Sequence, residues 1–160
     1  MEQTLSVDSG TQKVVNLKLA DKVQAMASGI DKRFSASGNG TVRDRKTGLE
    51  WAQRDNGQDI NWNSARSYCS NLGLAGGGWR LPSMDELEGI YDRSETLTTS
   101  CGGYTCEVSP LFSLTGYWYW SDESNGSSEA WFFSLGDGSR ASLTVSYPGL
   151  LRALCVRRRS

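Results

Sequence analysis

Histidine is absent from this chain of 160 residues. Its absence removes the usual general base at neutral pH, the histidine-activated serine and cysteine nucleophiles, and the commonest zinc ligand. An enzyme made from this chain would have to use carboxylates or cysteine, and the sequence contains neither a paired-carboxylate motif nor a phosphate-binding glycine loop. We therefore expect a protein that is not an enzyme and that needs no cofactor.

Long hydrophobic runs are absent as well. No apolar stretch approaches the roughly 18 to 20 residues that a membrane-spanning helix needs, and residues 1–3 lack the basic start of a secretion signal. We therefore expect no insertion into a membrane.

An excess of charge of one sign is missing too, because the formal net charge is −1. Such a chain creates no overall field that would attract nucleic acid or an anionic membrane, so we expect no nucleic-acid partner. A local exception lies near the C-terminus, where four arginines form either an exposed basic tail or a contact for an anionic polymer. They are Arg152, Arg157, Arg158 and Arg159.

The cysteines number four and include no C-x-x-C pair, which favours disulfides over zinc. Four cysteines allow three pairings, and the sequence alone does not choose among them. Cys101 and Cys106 flank a short loop that could close on itself, which would leave Cys69 for Cys155. Disulfides indicate an oxidising compartment; the alternative is four reduced thiols in a cytosolic protein.

The residues that are present describe one aromatic-rich domain. Six Trp, six Tyr and four Phe indicate a folded core, whereas eighteen Gly indicate many loops and argue against a helical bundle. We place the domain at residues 33–160. Residues 1–32 carry a strand-like alternation followed by helical spacing, and we interpret them as a leader that pairs with the domain edge or mediates self-association.

The centre of the chain predicts two helices. The first follows Asn61 or Asn63 as its cap, stops at Gly73, and repeats apolar residues at helical spacing; these are Ala65, Tyr68, Cys69 and Leu72. The second follows the glycine run 76–78, which lets the backbone pass close to another group. Ser83 and Glu86 form a capping box there, so this helix begins at Met84 and ends near Tyr91.

Strands surround these helices. Residues 41–44 and 46–51 predict a hairpin with Asp44 as a turn-former, and residues 92–115 form a long excursion stapled by Cys101 and Cys106. The C-terminal part then predicts strands at 117–121, 130–135, 139–146 and 151–157. In the last strand, Leu151, Ala153 and Cys155 would face away from Arg152, Leu154 and Val156. Helices in the middle and antiparallel strands afterwards give an α+β fold.

The outward side chains of the C-terminal sheet and its loops are the candidate ligand-binding residues. Tyrosine supplies a large rigid contact, and Ser, Asn and Asp adapt their hydrogen bonds to a partner. The candidates are Tyr117, Tyr119, Asp122, Asn125, Arg140, Ser142, Thr144, Tyr147 and Arg152. Four tryptophans are assigned to the core instead: Trp79, Trp118, Trp120 and Trp131. Oxygen ligands for calcium also lie in one loop, but their spacing matches no known calcium loop, so we expect no metal; they are Asp122, Glu123, Asn125 and Glu129.

Ordered motifs across residues 33–158 are shared with a bacterial family. They are Arg33-Phe34, Gly38 to Asp44, Thr47 to Trp51, Trp62 to Ala65, Tyr68-Cys69, Gly78 to Ser83, Glu86-Leu87, Tyr119 to Ser121, Ala130-Trp131, Gly136 to Gly138 and Arg152 to Arg157. On these motifs the chain resembles the DUF1566 family, the C-terminal domain of the Legionella collagen-like adhesin. The resemblance implies a C-type-lectin-like fold, in which two helices flank small twisted sheets and a disulfide ties the first helix to the final strand. That tie agrees with a Cys69 to Cys155 pairing.

The resemblance also orders the functional hypotheses. It implies an extracellular or surface binding module, and we expect an extracellular, cell-surface or periplasmic location. The residues themselves suggest the partner, which is a protein or a polysaccharide stacked on tyrosines; the cationic C-terminal end favours an acidic glycan. The same fold hosts the variable proteins of diversity-generating retroelements, so a diversified receptor-binding surface is a further hypothesis. The alternatives are a cysteine-dependent enzyme of the formylglycine-generating type, which needs a free activated thiol, and an assembly domain that forms homo-oligomers through residues 1–32.

Overall fold

A computed structural model describes residues 33–158 of the chain. The predicted leader at 1–32 and the basic residue Arg159 lie outside these described residues. The helices are α1 (Trp62–Ser70) and α2 (Met84–Ile90), with a 3₁₀ turn at Leu74–Gly76 between them. The strands are β1 (Phe34–Ala36), β2 (Thr41–Asp44), β3 (Leu49–Ala52), β4 (Thr99–Cys101), β5 (Tyr104–Cys106), β6 (Trp118–Asn125), β7 (Glu129–Ser134), β8 (Arg140–Thr144), β9 (Leu151–Arg152) and β10 (Val156–Arg158).

The strands form two four-stranded sheets and one small hairpin. The first sheet has the order β1-β2-β3-β10, and all its pairs are antiparallel. The second sheet has the order β8-β7-β6-β9, in which β9 runs parallel to β6. Strands β4 and β5 pair with each other. The fold is therefore α+β as predicted, but it consists mostly of sheet.

The second sheet separates two hydrophobic cores. On one side lies the α2 core, which includes Leu87, Phe133 and Tyr119. On the other side lies the α1 core, which includes Ala65, Trp120 and other buried residues of the sheet. Because β6 is covered on both faces, successive side chains of this strand are buried, as expected for a strand packed on two sides.

Both predicted helices are present, although α1 ends at Ser70 and not at the predicted stop, Gly73. Asn61 caps α1 by accepting a hydrogen bond from the Ser64 amide. The α2 helix begins at Met84, and Ser83 and Glu86 form the predicted capping box. The glycine run before α2 differs from the prediction. A Cβ atom added at Gly76 or Gly78 would have no atom within 4 Å apart from its chain neighbours, and one added at Gly77 would lie at an ordinary 3.6 Å from the Leu72 carbonyl oxygen. Positive φ angles, 97° at Gly76 for example, are the reason for glycine there.

The first-sheet turn is organised by Asp44, as predicted. Its carboxylate accepts hydrogen bonds from the Lys46 amide and the Thr47 hydroxyl, and it forms an ion pair with Arg33. Burial alone would raise the pKa of Asp44, but the hydrogen bonds from Arg33 and Thr47 outweigh it and lower the pKa.

The predicted last strand, 151–157, is wrong as a single strand. Residues 151–152 pair with β6 of the second sheet, whereas residues 156–158 pair with β3 of the first sheet. Between them Ala153 and Cys155 enter the α1 core and Leu154 enters the α2 core. The segment crosses from one sheet to the other, so the predicted alternation does not hold: Leu154 and Val156 are buried, whereas Arg152 is half-buried.

Two disulfides close the domain. Cys69 of α1 is bonded to Cys155, and Cys101 is bonded to Cys106. No cysteine is free, since these are the only four in the sequence. Both bonds agree with the pairing that the short loop between Cys101 and Cys106 and the family resemblance favour.

Candidate functional site

A polar face with one tryptophan lies at the β8 edge of the second sheet. Arg140, Ser142 and Thr144 alternate along β8 and therefore share one side of the sheet. The register places Trp131 opposite Ser142 and Glu129 opposite Thr144. We call this surface the β8 face; it comprises Asn125, Glu129, Trp131, Arg140, Ser142 and Thr144.

Hydrogen bonds hold the side chains of the β8 face in place. Asn125 Nδ2 donates to Ser142 Oγ at 3.0 Å, and Ser142 Oγ donates to Glu129 Oε1 at 2.6 Å. Arg140 forms an ion pair of 2.5 Å with Glu88 of α2, which also binds Arg93. The hydrogen bonds from Arg93 and Arg140 lower the pKa of Glu88. This face is therefore ordered, and its arginine is paired with a carboxylate.

Trp131 was assigned to the core, but the structure leaves it half-buried on the β8 face. The prediction that Trp131 faces the core side of β7 is correct, because it packs against the α2 core. It stays partly accessible because β8, its neighbour, is the last strand of the sheet. Trp131 could have been recognised as a surface residue only from the position of β8 at the edge of the sheet, which the sequence does not reveal. Trp118 is likewise half-buried, whereas Trp79 and Trp120 are buried as predicted.

Tyr119 does not belong to the ligand-binding surface that was predicted for it. Its side chain is 0% exposed, and its hydroxyl lies 2.7 Å from both Asp55 Oδ2 and the Gly116 carbonyl. Burial, and next the nearby Asp55 charge, raise the pKa of Tyr119 well above its usual value. The prediction failed because both faces of the central strand β6 are packed, so alternation did not place this tyrosine outside.

Arg152 and Tyr147 were also predicted to face a ligand, and both are largely engaged within the domain. Arg152 Nε donates to Thr115 Oγ1 at 2.9 Å, and its guanidinium is ion-paired with Asp59. Its side chain is 17% exposed. Tyr147 is half-buried against the α1 core.

Asp122 lies apart from the β8 face. It is exposed and lines a cavity of about 530 Å³ together with Arg66 and Arg80, beside α1. Burial and the neighbouring Glu123 raise the pKa of Asp122. Arg80 in turn is hydrogen-bonded through both terminal nitrogens to Glu86.

The loop that offered calcium ligands has protein partners for three of its four candidates. Glu123 Oε2 accepts a hydrogen bond from the Met84 amide, and Asn125 and Glu129 are both hydrogen-bonded to Ser142. Within residues 33–158, no group of three or more His, Cys, Asp or Glu side chains is arranged to hold a metal ion.

The C-terminal arginines are partly neutralised. Arg157 Nε donates to the buried Glu50 at 2.8 Å, and its Nη1 donates to the Ala75 and Gly77 carbonyls. Its guanidinium also stacks 4.4 Å above the Trp79 ring. Arg157 therefore fixes the glycine loop to the first sheet, and only Arg158 of the described tail is exposed.

Tyr117 is half-buried and belongs to a separate aromatic site. Its ring centroid lies 4.6 Å from that of Tyr104, and both rings line a cavity of about 270 Å³. We call it the tyrosine cavity; its lining residues are Tyr104, Thr105, Tyr117, Ser134, Gly136 and Asp137. Sequence reasoning missed Tyr104 and Asp137, although a tyrosine between two paired cysteines was a usable signal.

The comparisons with known proteins add one match. The family described as the Lcl C-terminal domain matches residues 40–157. No curated protein matches the chain. Among the residues that the structure describes, no helix is long and apolar enough to cross a membrane. The two disulfides, taken with this match, indicate an extracellular or periplasmic location.

Proposed function

Because the chain belongs to the Lcl C-terminal domain family, we propose that it is a non-enzymatic ligand-binding module of a surface or adhesin-like protein. The recognition surface is the β8 face. Family membership supports the adhesin-like class, and the arrangement of side chains on β8 supports the choice of surface.

The observation that carries this proposal is the single side shared by Arg140, Ser142, Thr144 and Asn125. Ser142 lies opposite Trp131, Arg140 and Thr144 lie on either side of Ser142 along β8, and Asn125 is hydrogen-bonded to Ser142. An aromatic ring bordered by pre-ordered polar groups binds a partner at a low cost in conformational entropy, and Trp and Arg are enriched among the residues that dominate binding energy.

A protein partner suits the β8 face better than an acidic glycan. Arg140 and Arg93 both contact Glu88, and Glu129 adds a further negative charge. A sulfated or acidic glycan needs uncompensated positive charge, which this face does not offer among the described residues. Binding should therefore persist at high salt, since screening weakens mainly contacts between exposed opposite charges.

The enzyme alternative is not favoured. A formylglycine-generating type of reaction requires a free activated thiol. All four cysteines are joined in disulfides, and Cys101 and Cys106, the candidate pair, are completely buried.

The test is capture of surface proteins and array-bound glycans by the full chain at low and at high salt. Any captured protein is then purified and titrated directly. We expect salt-tolerant binding to one protein, and we expect Arg140→Ala combined with Thr144→Ala to weaken it at least about tenfold, or about 1.4 kcal/mol. Arg43→Ala, at an exposed arginine of the first sheet, is the control. Glycan binding lost at high salt, or equal binding by the β8 variant, would refute this surface.

The C-type-lectin-like fold is part of the same proposal. Its support is the bridge from α1 to the C-terminal segment and the pairing of β10 with β3, which joins the two ends of the domain. If the protein is a diversified receptor binder, sister genes will differ at positions 140, 142 and 144 and agree in both cores. Sequencing those genes tests the hypothesis.

An assembly role for residues 1–32 remains a separate proposal. Light scattering of the full chain and of a chain beginning at Lys32 tests it. Fewer chains per particle in the shortened protein than in the full chain would support self-association through this segment. The same number of chains per particle would refute the proposal.

A further inference from the structure

The tyrosine cavity is built on a hairpin that is fixed at three points. The disulfide Cys101–Cys106 ties β4 to β5. At the turn, a Cβ atom added to Gly102 would lie 2.1 Å from the Thr115 carbonyl oxygen, so the hairpin tip rests against the backbone. The Glu107 amide then donates to the Leu135 carbonyl directly after β5. The hairpin therefore presents its side chains from a rigid base.

Tyr104 is exposed on this rigid base. It is 61% exposed, and the only other large hydrophobic residue exposed among residues 33–158 is Leu150. The Tyr104 ring is tilted 60° from that of Tyr117 at a centroid distance of 4.6 Å. Because the Tyr117 ring packs against it, the exposed Tyr104 ring can contact a ligand with little loss of side-chain entropy.

Polar groups surround this aromatic floor. Neither the Tyr104 nor the Tyr117 hydroxyl makes a hydrogen bond within the described residues. Asp137 also lines the cavity, and its Oδ1 accepts from the Ser139 amide and hydroxyl, which holds the carboxylate in place. A carboxylate has about four acceptor positions. Asp137 therefore retains capacity for hydroxyl groups of a ligand.

From these observations we propose that the tyrosine cavity binds a single neutral pyranose ring. A face of axial C–H bonds stacks on Tyr104, because the face of an aromatic ring is negative and attracts weakly positive hydrogens. Ring hydroxyls donate to the Asp137 carboxylate and exchange hydrogen bonds with the tyrosine hydroxyls. This site is distinct from the β8 face and takes a different ligand.

Size and charge select the ligand class. The cavity, about 270 Å³, lies just below the range of about 300 to 1,000 Å³ that holds drug-sized molecules. One sugar ring fits this volume, whereas an extended peptide needs a longer groove. The neighbouring Trp118 does not extend the aromatic surface, because it does not line the cavity. Asp137 repels a carboxylate or sulfate on the sugar. A neutral ring is therefore preferred over an acidic one.

The experiment is saturation-transfer NMR on the full 160-residue chain. The probes are methyl β-D-glucopyranoside, whose ring faces carry only axial C–H bonds, and methyl β-D-glucuronide, which differs by a carboxylate at C6. We expect saturation of the glucoside ring protons and at least fivefold weaker binding of the glucuronide. Tyr104→Ala should weaken glucoside binding at least tenfold, and Asp137→Asn should narrow the difference between the two sugars.

Leu150→Ala, at the other exposed apolar side chain, is the control and should leave glucoside binding unchanged. Near-ultraviolet circular dichroism checks that each variant keeps its tertiary structure. The proposal is overturned by an absence of saturation transfer, by glucoside binding that survives Tyr104→Ala, or by tighter binding of the glucuronide. It is also overturned if a proline-rich peptide, and not the glucoside, perturbs the Tyr104 resonances. None of these outcomes depends on the β8 face, whose variants test the proposed function separately.

Discussion

Asp55 illustrates how single residues hold this domain together. Its carboxylate is 7% exposed and accepts hydrogen bonds from the Thr115 amide and hydroxyl, both at 2.8 Å, and from the Gly57 amide. The Tyr119 hydroxyl completes the set at 2.7 Å. A buried charge is tolerated only when its acceptor positions are filled in this way. The network joins residues about 60 positions apart in the sequence.

Tyr119→Phe tests whether this tyrosine is structural. We expect the free energy of unfolding to fall by about 1 to 3 kcal/mol, because the buried Asp55 carboxylate loses a donor. Tyr117→Phe is the matched control, since its hydroxyl makes no hydrogen bond within the described residues, and it should change stability by less than about 0.5 kcal/mol. Urea unfolding measures both. A greater loss for the Tyr117 variant would contradict the assignment.

The hydrogen bonds to Asp92 should make the stability of the fold depend on pH in the acid range. Burial alone would raise the pKa of Asp92, but hydrogen bonds from Ser94, Leu97 and Thr96 lower the pKa to about 2. Because the pKa of Asp92 is lower in the folded protein than in the unfolded chain, the ionised Asp92 carboxylate stabilises the folded state. This stabilisation is fully present above about pH 4 and is lost as the pH falls through about 2. Allowing for solvent screening, Asp92→Asn should cost about 1 to 2 kcal/mol at pH 7.

The difference between wild type and Asp92→Asn should therefore shrink when unfolding is measured between pH 4 and pH 2. Glu95→Gln in the same loop is the control, because the Glu95 side chain makes no hydrogen bond within the described residues. A difference that is constant across this range would show that the stabilisation does not depend on ionisation of Asp92.

At the scale of elements, the start of α2 gathers contacts from distant parts of the chain. Ser83 and Glu86 form the capping box, while Glu123 of β6 accepts from the Met84 amide. Three acceptors thus satisfy amides that an isolated helix would leave unpaired. A helix of only seven residues is fixed to the second sheet in this way, which also positions Glu88 to meet Arg140 on the β8 face.

The two disulfides should contribute unequally to stability. Cys69–Cys155 spans 86 residues and Cys101–Cys106 spans 5. In the chain-entropy treatment their removal costs about 4 to 5 and about 2 kcal/mol, because the longer loop restricts the unfolded chain more. We expect Cys69→Ala with Cys155→Ala to lower the urea midpoint more than Cys101→Ala with Cys106→Ala. The reverse order would show that strain or local packing outweighs loop length.

At the scale of the whole molecule, the C-terminal segment joins both sheets and both cores. Leu151 and Cys155 belong to the α1 core, while Leu154 lies in the α2 core. Strand β10 then completes the first sheet beside β3. Neither core can be complete without these last residues, so the two halves of the domain depend on each other.

This linkage predicts a single cooperative unfolding transition. Leu154→Ala should destabilise the protein by about 2 to 5 kcal/mol, because it opens a cavity in the α2 core. Near-ultraviolet circular dichroism reports on the tryptophans of both cores, and far-ultraviolet circular dichroism reports on the secondary structure. In each protein, wild type or variant, the two signals should give the same unfolding midpoint. Separate midpoints would mean that the sheets unfold independently.

The sequence determined the local structure of this protein. Both helices, the Ser83 and Glu86 capping box, the Asp44 turn and the Cys101–Cys106 pairing follow from short-range spacing. These features depend on residues a few positions apart. Local energetics is therefore enough to specify them.

Only the tertiary structure decided which strand lies at an edge and which is covered on both faces. That decision buried Tyr119 on the central strand β6, exposed part of Trp131 beside the edge strand β8, and divided residues 151–157 between two sheets. It also brought Tyr104 to Tyr117 and Arg140 to Glu88. Alternation along a strand gives the side on which a residue lies, but burial depends on what packs against that side, and this is settled by long-range contacts.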